Sequence, residues 1–291
     1  MNSRIFNPKV LLITLLISFI SFPLVGNTLK IYTYNILADS FLGLGSYNEE
    51  NQKVLEWKNR KEFLLQRILD LNADILCLQE VESSAYEFLS FSLAKVGYLG
   101  NFAQDASKYK IGVATFFKQA SIHCLKTQSI LCEGSSMCGE KAVRAALINT
   151  FQSNTGRLFY TINTKLKWLP DETPIDKHPG FRQIQFLIDN FIEKDKNQAW
   201  ILSGDFNLKE DHPIIQYIEK QGLHDPFHGL NTYTFFSQNE SKKIDYLLCS
   251  PLVKIIKTDI PLISTNSTIP SKEEPSDHLP LGVIVEIKEA L

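Results

Sequence analysis

The sequence carries no Cys-x-x-Cys pair and only five cysteines in 291 residues, which speaks against a structural zinc centre. It has no surplus of either charge: 30 Lys+Arg stand against 32 Asp+Glu, a formal net of -2. That balance excludes a general nucleic-acid binder working through a basic surface. It leaves room for an enzyme that meets phosphate through divalent cations. No internal repeat, low-complexity tract or long linker divides the chain, so one large domain is expected. A hydrophobic share of 44% and a charged share of 21% are ordinary globular values, and the length suffices to bury a substantial core.

Charge is also missing from Val10 to Gly26, between Lys9 and Lys30. A basic start, an apolar run and small residues near Gly26 read as a secretory signal peptide over residues 1–26. An uncleaved membrane anchor is the alternative, because the run approaches the minimum spanning length. Cleavage after Gly26 removes Arg4 and Lys9 and leaves 28 basic against 32 acidic residues in a domain over residues 27–291. The expected location is secreted or periplasmic, or membrane-anchored if the segment stays. Export permits a local disulfide between Cys132 and Cys138, which lie in what reads as a polar loop. Cys77 and Cys249 fall in apolar strand patterns and read as small buried hydrophobes.

What the chain has in quantity is short apolar runs. Leu29 to Ile36 reads as an alternating strand, and Val54 to Leu71 places Trp57, Leu64, Leu65, Ile68 and Leu71 on one helical face. Asp74 to Leu78 reads as a buried strand, followed by a helix to about Val96 capped by Ser83 or Ser84. Strands are expected at Ile111–Phe117, Ile122–Lys126, Ala142–Phe151, Arg157–Asn163, Ala199–Leu202, Lys243–Cys249, Leu252–Ile256 and Leu281–Ile287. Helices are expected at Gly180–Glu193 and Pro213–Lys220. Dispersed helices among more numerous strands favour two packed sheets flanked by helices, although periodicity alone leaves a doubly wound sheet open.

Acids and amides interrupt the ends of these apolar runs. Asn35 ends the first strand, Glu80 follows Ile-Leu-Cys-Leu-Gln, and Asp205 and Asn207 follow Trp-Ile-Leu-Ser-Gly. Asp245 sits in Lys-Ile-Asp-Tyr-Leu-Leu, and Asp277 and His278 precede Leu-Pro-Leu-Gly-Val-Ile-Val. Rigid strand ends with accessible loops are where ligand sites gather. Glu80 and Asp277 offer hard oxygens suited to Mg²⁺ or Mn²⁺. Asp205 suits water activation, Asn207 and Asn35 supply amide dipoles, and Asp245 favours a protonated His278 able to donate to phosphate. His123, His178, His212, His224 and His228 read as structural or surface residues.

Five motifs, in order, carry a resemblance: Tyr-Asn-Ile at 34–36, Leu-Gln-Glu-Val at 78–81, Gly-Asp-Phe-Asn at 204–207, Ile-Asp-Tyr at 244–246 and Ser-Asp-His-Leu-Pro at 276–280. Together they resemble the endonuclease/exonuclease/phosphatase superfamily, which includes pancreatic deoxyribonuclease, neutral sphingomyelinases and deadenylases. The resemblance implies a four-layer α/β/β/α sandwich of two mainly antiparallel sheets, with the site at one edge. It implies Glu80 as main metal ligand, Asn35 and Asp277 beside the metal, and Asp205, Asn207, Asp245 and His278 as catalytic residues. Trp57-Lys-Asn-Arg60 and Asn163-Thr-Lys-Leu-Lys-Trp168, with Arg182-Gln-x-Gln185 beyond, are similar to stretches of the deadenylase and nocturnin-like branch. They suggest Asn163, Lys165 and Trp168 as substrate contacts. One departure is plain: the branch has His where this chain has Lys165, a flexible point charge that titrates near pH 10.

The expected activity is divalent-metal-dependent hydrolysis of a phosphate ester by a monomer, with nucleic acid or a nucleotide as substrate. A lipid head group, in a sphingomyelinase- or phosphoinositide-phosphatase-like enzyme, is the alternative within enzymes. A catalytically silent binding module is the alternative outside them, and Lys165 is what motivates it. Tyr32 and Tyr34 are expected to pack, Trp168 to stack a base or plug an edge, and Lys242-Lys243 to form a solvated turn.

Overall fold

β1 (Thr28–Asn35) runs parallel to β2 (Ile75–Val81), and the crossover between them contains α1 (Trp57–Leu71). The computed structural model describes residues 28–42, 55–106, 110–135, 141–237, 240–260 and 269–289; the proposed signal segment and Cys138 lie outside them. After β2 come α2 (Ser83–Ala94), β3 (Tyr98–Gln104), β4 (Gly112–Lys118), β5 (Ile122–Ser135), β6 (Lys141–Ser153) and β7 (Leu158–Lys165). Then follow α3 (Pro179–Leu187), β8 (Ala199–Asp205), α4 (Pro213–Lys220), a short β9 (Phe235–Phe236) and β10 (Ser241–Lys242), β11 (Asp245–Cys249), β12 (Val253–Asp259) and β13 (Leu281–Ile287). One sheet has the order β12-β13-β1-β2-β4-β3 and the other β11-β8-β7-β6-β5. Each is antiparallel except for a single parallel pair, β1 with β2 and β7 with β8.

The sheets pack face to face with helices outside, which makes four layers. Ile31, Ile75, Phe151, Phe159, Ile201 and Val283 fill the space between the sheets. Leu64, Ile68 and Leu89 of α1 and α2 cover Tyr32, Leu76 and Phe116 on the outer face of the first sheet. Ile184, Ile214 and Ile218 of α3 and α4 cover Ile148, Ile162 and Leu202 on the outer face of the second. Strand side chains alternate between faces, so every second residue of the parallel strands looks into the gap. Along β1 these are Ile31, Thr33 and Asn35; along β7, Phe159, Thr161, Asn163 and Lys165; along β8, Ile201, Ser203 and Asp205. The gap is apolar at the N-terminal ends of these strands and polar at their C-terminal ends. All the polar members except Lys165 are fully buried, so one edge of the sandwich is built to hold polar groups away from water.

Arg60 ties that edge together. It is 1% exposed, and its guanidinium donates to the carbonyls of Leu55 (2.9 Å), Ile36 (2.6 Å), Leu37 (2.6 Å) and Pro275 (3.3 Å). A rigid fork of donors is the group that can serve several carbonyls at once. The loop after β1 is thereby fastened to the loop before β13.

Several sequence expectations are corrected. β3, Leu-Gly-Asn-Phe in its centre, has no clean alternation and was not expected. β5 runs on to Ser135, so Cys132 is a buried strand residue opposite Arg144 and not part of a loop. Neither Ser83 nor Ser84 is the cap of α2: Glu82 holds the N-cap position and makes no side-chain cap bond. α3 ends at Leu187 and continues as a π-turn over Ile188–Ile192. Among the described residues no helix is long and apolar enough to cross a membrane.

Two histidines cap helices. His178 Nδ1 accepts from Gly180 N–H at 3.1 Å and His212 Nδ1 from Ile214 N–H at 3.2 Å, each just ahead of a proline in the first turn. Their rings lie 5.7 Å apart. An accepting Nδ1 must be unprotonated, and burial followed by His212 pushes His178 down to about 4; burial also lowers His212, against Asp171 and Asp211.

Two outcomes are expected. Arg60→Met leaves buried carbonyls without donors and destabilises the fold by about 2–4 kcal/mol, read from urea unfolding; a loss under about 1 kcal/mol refutes the clasp. Because His178 is depressed in the folded state, the unfolded chain takes up the proton first. Stability is therefore full above about pH 6.5 and falls as pH drops toward about 4. Thermal unfolding of His178→Asn, which keeps a cap without a titrating group, should fall less than wild type over that window.

Candidate active site

Six side chains from the two sheets meet where the apolar gap turns polar. Asn35, Lys165 and Asp205 are the last residues of β1, β7 and β8. Parallel pairing sets Lys165 opposite Asp205, and antiparallel pairing sets Asp245, the first residue of β11, on the other side of Asp205. Glu80 enters through a bulge in β2, between Gln79 and Val81, with a φ of 55°. A non-glycine residue held there carries roughly 1–3 kcal/mol of strain, and bulges of this kind re-aim one side chain. His278 arrives on the turn before β13; Ser276 Oγ donates to the Asn35 carbonyl at 2.7 Å and accepts from His278 N–H at 3.2 Å. Gly204 permits the close approach of β8 to β7, since a Cβ there would stand 1.8 Å from the Thr164 carbonyl oxygen.

The Asn35 amide is the hub. Its carbonyl oxygen accepts from Leu37 N–H at 3.0 Å, which orients Nδ2 toward the site. Nδ2 then donates to Glu80 Oε1 and Asp205 Oδ2, both at 2.9 Å, and lies 3.2 Å from His278 Nε2. Glu80 Oε2 accepts from Ala38 N–H at 2.9 Å, and Asp205 Oδ1 from Asn207 N–H at 2.9 Å. The Lys165 ammonium donates to Glu80 Oε1 at 2.8 Å and to Asp205 Oδ2. Lys165 is itself steadied by Gln183, which donates to its carbonyl at 3.3 Å and to Thr164 Oγ1 at 2.7 Å. His278 Nδ1 meets Asp245 Oδ2 at 2.8 Å, and the Phe235 ring lies 5.1 Å from the imidazole.

Charge sets the protonation of these groups. Burial works to raise Glu80, but the Lys165 ammonium, His278 and the Asn35 amide outweigh it and hold the carboxyl at about 2. Burial works to lower Lys165, and Asp205 and Glu80 drive it above the usual lysine range. Burial likewise works against a charged His278, yet Asp245, Asp205 and Asp277 lift it to about 10. His278 is therefore an imidazolium at neutral pH, paired to Asp245 and presenting Nε2–H toward the Asp205 carboxylate, 4.0 Å away.

A divalent ion suits the donors in type. Asp205, Asp245 and His278 stand within 4.8 Å of one another, but an imidazolium has no lone pair to give a metal, so that trio is an acid–base pair beside a carboxylate. Glu80 and Asp205 offer hard oxygens, and an ammonium already stands between them, marking a position where positive charge is stabilised. Glu80, Asp205, Asp245 and Asp277 formally outweigh Lys165 and His278 by two negative charges, the amount one divalent ion neutralises.

The remaining expected residues divide. Asn207, also at a φ of 55°, donates from Nδ2 to the Leu166 carbonyl at 2.9 Å and stays at the edge. Asp277 is half-buried at the rim beside His278, its carbonyl accepting from Phe236 N–H. Asn163 is corrected: it is fully buried between the sheets, donating to the carbonyls of Leu78 and Ala114 and accepting from Gln79, so it supports the edge from behind. Trp168 lies beyond β7, 63% exposed, plugging nothing. Lys243 is buried against Asp225 and Tyr246 and is no solvated turn. His224 and His228 have a spacing that would align on a helix, but their segment is a turn, and His228 pairs with Glu210. Gln79, Gln183 and Ser276 stand inside the quoted motifs, but their roles depend on contacts across strands that the motifs do not reveal, and Phe235, beside His278, has no signal in the sequence.

Comparison with known proteins agrees with this architecture. The CCR4-Not complex 3'-5'-exoribonuclease subunit Ccr4 of Candida albicans is 24% identical over 91% of this chain and 42% of its own length. The chain thus spans less than half of that relative. The structure of ANGEL2, a 2',3'-cyclic phosphatase, superposes with a TM-score of 0.76 at 19% identity, covering 89% of this chain and 95% of that one. The human nocturnin catalytic domain with bound sulfate gives 0.68 at 23% identity, covering 90% and 94%. A family profile matches residues 32–278, from the second half of β1 to the site histidine, and the chain belongs to the Endonuclease/Exonuclease/phosphatase family.

Proposed function

We propose that this chain hydrolyses phosphate esters of nucleic acids or nucleotides with the help of Mg²⁺ or Mn²⁺. The observation that carries the proposal is the Asn35 amide held at once against Glu80, Asp205 and the His278–Asp245 pair. Carboxylates, an amide and an imidazolium at one buried edge are the parts that phosphoryl transfer needs: an anionic site for a metal, an orienter for water and donors for developing charge. Glu80, with Asn35 and Asp277 near it, would hold the ion, which when bound polarises a phosphoryl oxygen.

The chain's own residues do the rest. Asp205 is fixed on Oδ2 by Asn35 and on Oδ1 by the Asn207 amide, and the free lone pair of Oδ1 orients a water for in-line attack. His278, kept protonated by Asp245, donates from Nε2 to a phosphoryl oxygen as charge builds there. Lys165 and the Asn207 side chain add positive charge and an amide dipole at the same edge. Relatives named for exoribonuclease and cyclic-phosphatase activity support a nucleotide substrate. Export remains a proposal resting on the apolar run of residues 10–26; N-terminal sequencing of the protein outside the producing cell should find residue 27, and an intact N-terminus in the membrane fraction would replace export with anchoring.

The test of activity is hydrolysis by the purified chain of polyadenylate, single-stranded DNA, a nucleoside 2',3'-cyclic phosphate and sphingomyelin vesicles, with Mg²⁺, Mn²⁺ or EDTA. Turnover of a nucleotide substrate, abolished by EDTA and by Glu80→Gln, is expected. His278→Ala should slow it by roughly two to four orders of magnitude while the far-UV spectrum is unchanged. Turnover that survives EDTA refutes the metal role, and hydrolysis confined to sphingomyelin replaces the nucleotide with a lipid.

A further inference from the structure

Lys165 stands where the sequence departs from its branch, and its position in the site is specific. Its ammonium bonds one oxygen of Glu80, from the first sheet, and one oxygen of Asp205, from the second. The same two oxygens each accept from Asn35 Nδ2. The side chain is 12% exposed and leaves the end of a strand whose last carbonyl is held by Gln183. Its stem therefore has few places to go. Cations that share carboxylates in two-metal phosphoesterase sites sit about 3.5–4 Å apart. An ammonium in contact with both carboxylates takes one such position, and its charge repels a second ion brought beside it.

We propose that Lys165 is a resident cation that replaces one divalent ion between Glu80 and Asp205. The site then binds a single divalent ion, on Glu80 and toward the Asp277 rim, and binds it more weakly than carboxylates free of the lysine would. The second positive charge facing the phosphoryl group is the lysine's own. An imidazole at 165, which can stand neutral with a lone pair, would leave both carboxylates to metal. This inference rests on the metal-dependent reading of the site, and a binding measurement separates the two.

The experiment titrates the full chain with Mn²⁺, following free Mn²⁺ by electron paramagnetic resonance and heat by calorimetry, in wild type, Lys165→Met and Glu80→Gln. One equivalent is expected in wild type, at least tenfold tighter binding with a second equivalent in Lys165→Met, and none in Glu80→Gln. Thermal melting gives a second readout: without metal Lys165→Met melts below wild type, because two buried carboxylates then face each other with no cation between them, and Mn²⁺ raises its midpoint more than it raises that of wild type. Should Lys165→Met fail to fold, Lys165→His takes its place with the same tightening expected. Equal affinity and stoichiometry in wild type and variant overturn the role of Lys165 alone. Two equivalents in wild type also overturn it. No Mn²⁺ binding in either protein overturns it together with the metal-dependent reading.

Discussion

Two carboxylates that belong to different sheets are held within reach of one amide, and the rest of the molecule is arranged so that they can be. Glu80 rises from the first sheet and Asp205 from the second, and Asn35 Nδ2 spans them at 2.9 Å each. Buried like charges repel strongly where water is scarce. Lys165 meets that repulsion from the second sheet as Asn35 meets it from the first. Each donor thus crosses the gap, and the edge cannot slide without breaking contacts on both sides. Apolar packing fills the gap but is indifferent to small shifts in register; this ring of polar contacts fixes it.

The fold accepts local costs to keep that ring in place. Glu80 and Asn207 sit in the left-handed region without being glycine, and residues in such conformations persist only where their surroundings over-determine them. Here the surroundings are visible: Ala38 N–H on Glu80, Leu166 O on Asn207, and the Arg60 clasp on the loop that delivers Ala38. The polar layer behind the edge serves the same end. Gln79 and Asn163 join strands of opposite sheets beneath the carboxylates, so the floor of the site is as rigid as its walls.

Much of this was legible in the sequence, and the limits have physical causes. Asn35, Glu80, Asp205, Asp245 and His278 were legible because a charge or amide at the end of an apolar run is costly unless it is used. α1 was legible because Leu64, Ile68 and Leu71 repeat at helical spacing. Asn163 is assigned to substrate by resemblance of its stretch, and a motif carries no depth: this residue faces the gap two positions before the edge and is fully buried. Arg60 stands out only as the last residue of the Trp57-Lys-Asn-Arg60 stretch, while its partners are carbonyls in distant loops, which leave no trace in side-chain identity. β3 leaves no signal in the sequence, because an edge strand with exposed and half-buried residues shows no apolar alternation. A lysine pair is usually solvated, whereas Lys243 is buried against Asp225, a partner distant in sequence.

A lysine in the heart of this edge supplies a positive charge between Glu80 and Asp205 that belongs to the chain itself. Carboxylates gathered around an amide are an incomplete arrangement in which negative charge must be met from outside, and a metal ordinarily completes it. In this chain part of that completion is covalent. Lys165 is attached to β7, is directly opposite Asp205 in the parallel register, and stays charged at any pH near neutrality because both carboxylates favour its charged form. On the proposal that Lys165 replaces one ion, the edge is ordered without a second ion, and folding would depend less on metal supply than in a site of bare carboxylates. The same attachment has a chemical consequence. An ion can rearrange its ligands as the phosphoryl group changes geometry, whereas an ammonium on a fixed stem is a point charge with limited travel. If Lys165 takes the place of an ion, the exchange trades adaptability during the reaction for order before it, and the difference between lysine and histidine at this position would belong to metal binding first and to turnover second.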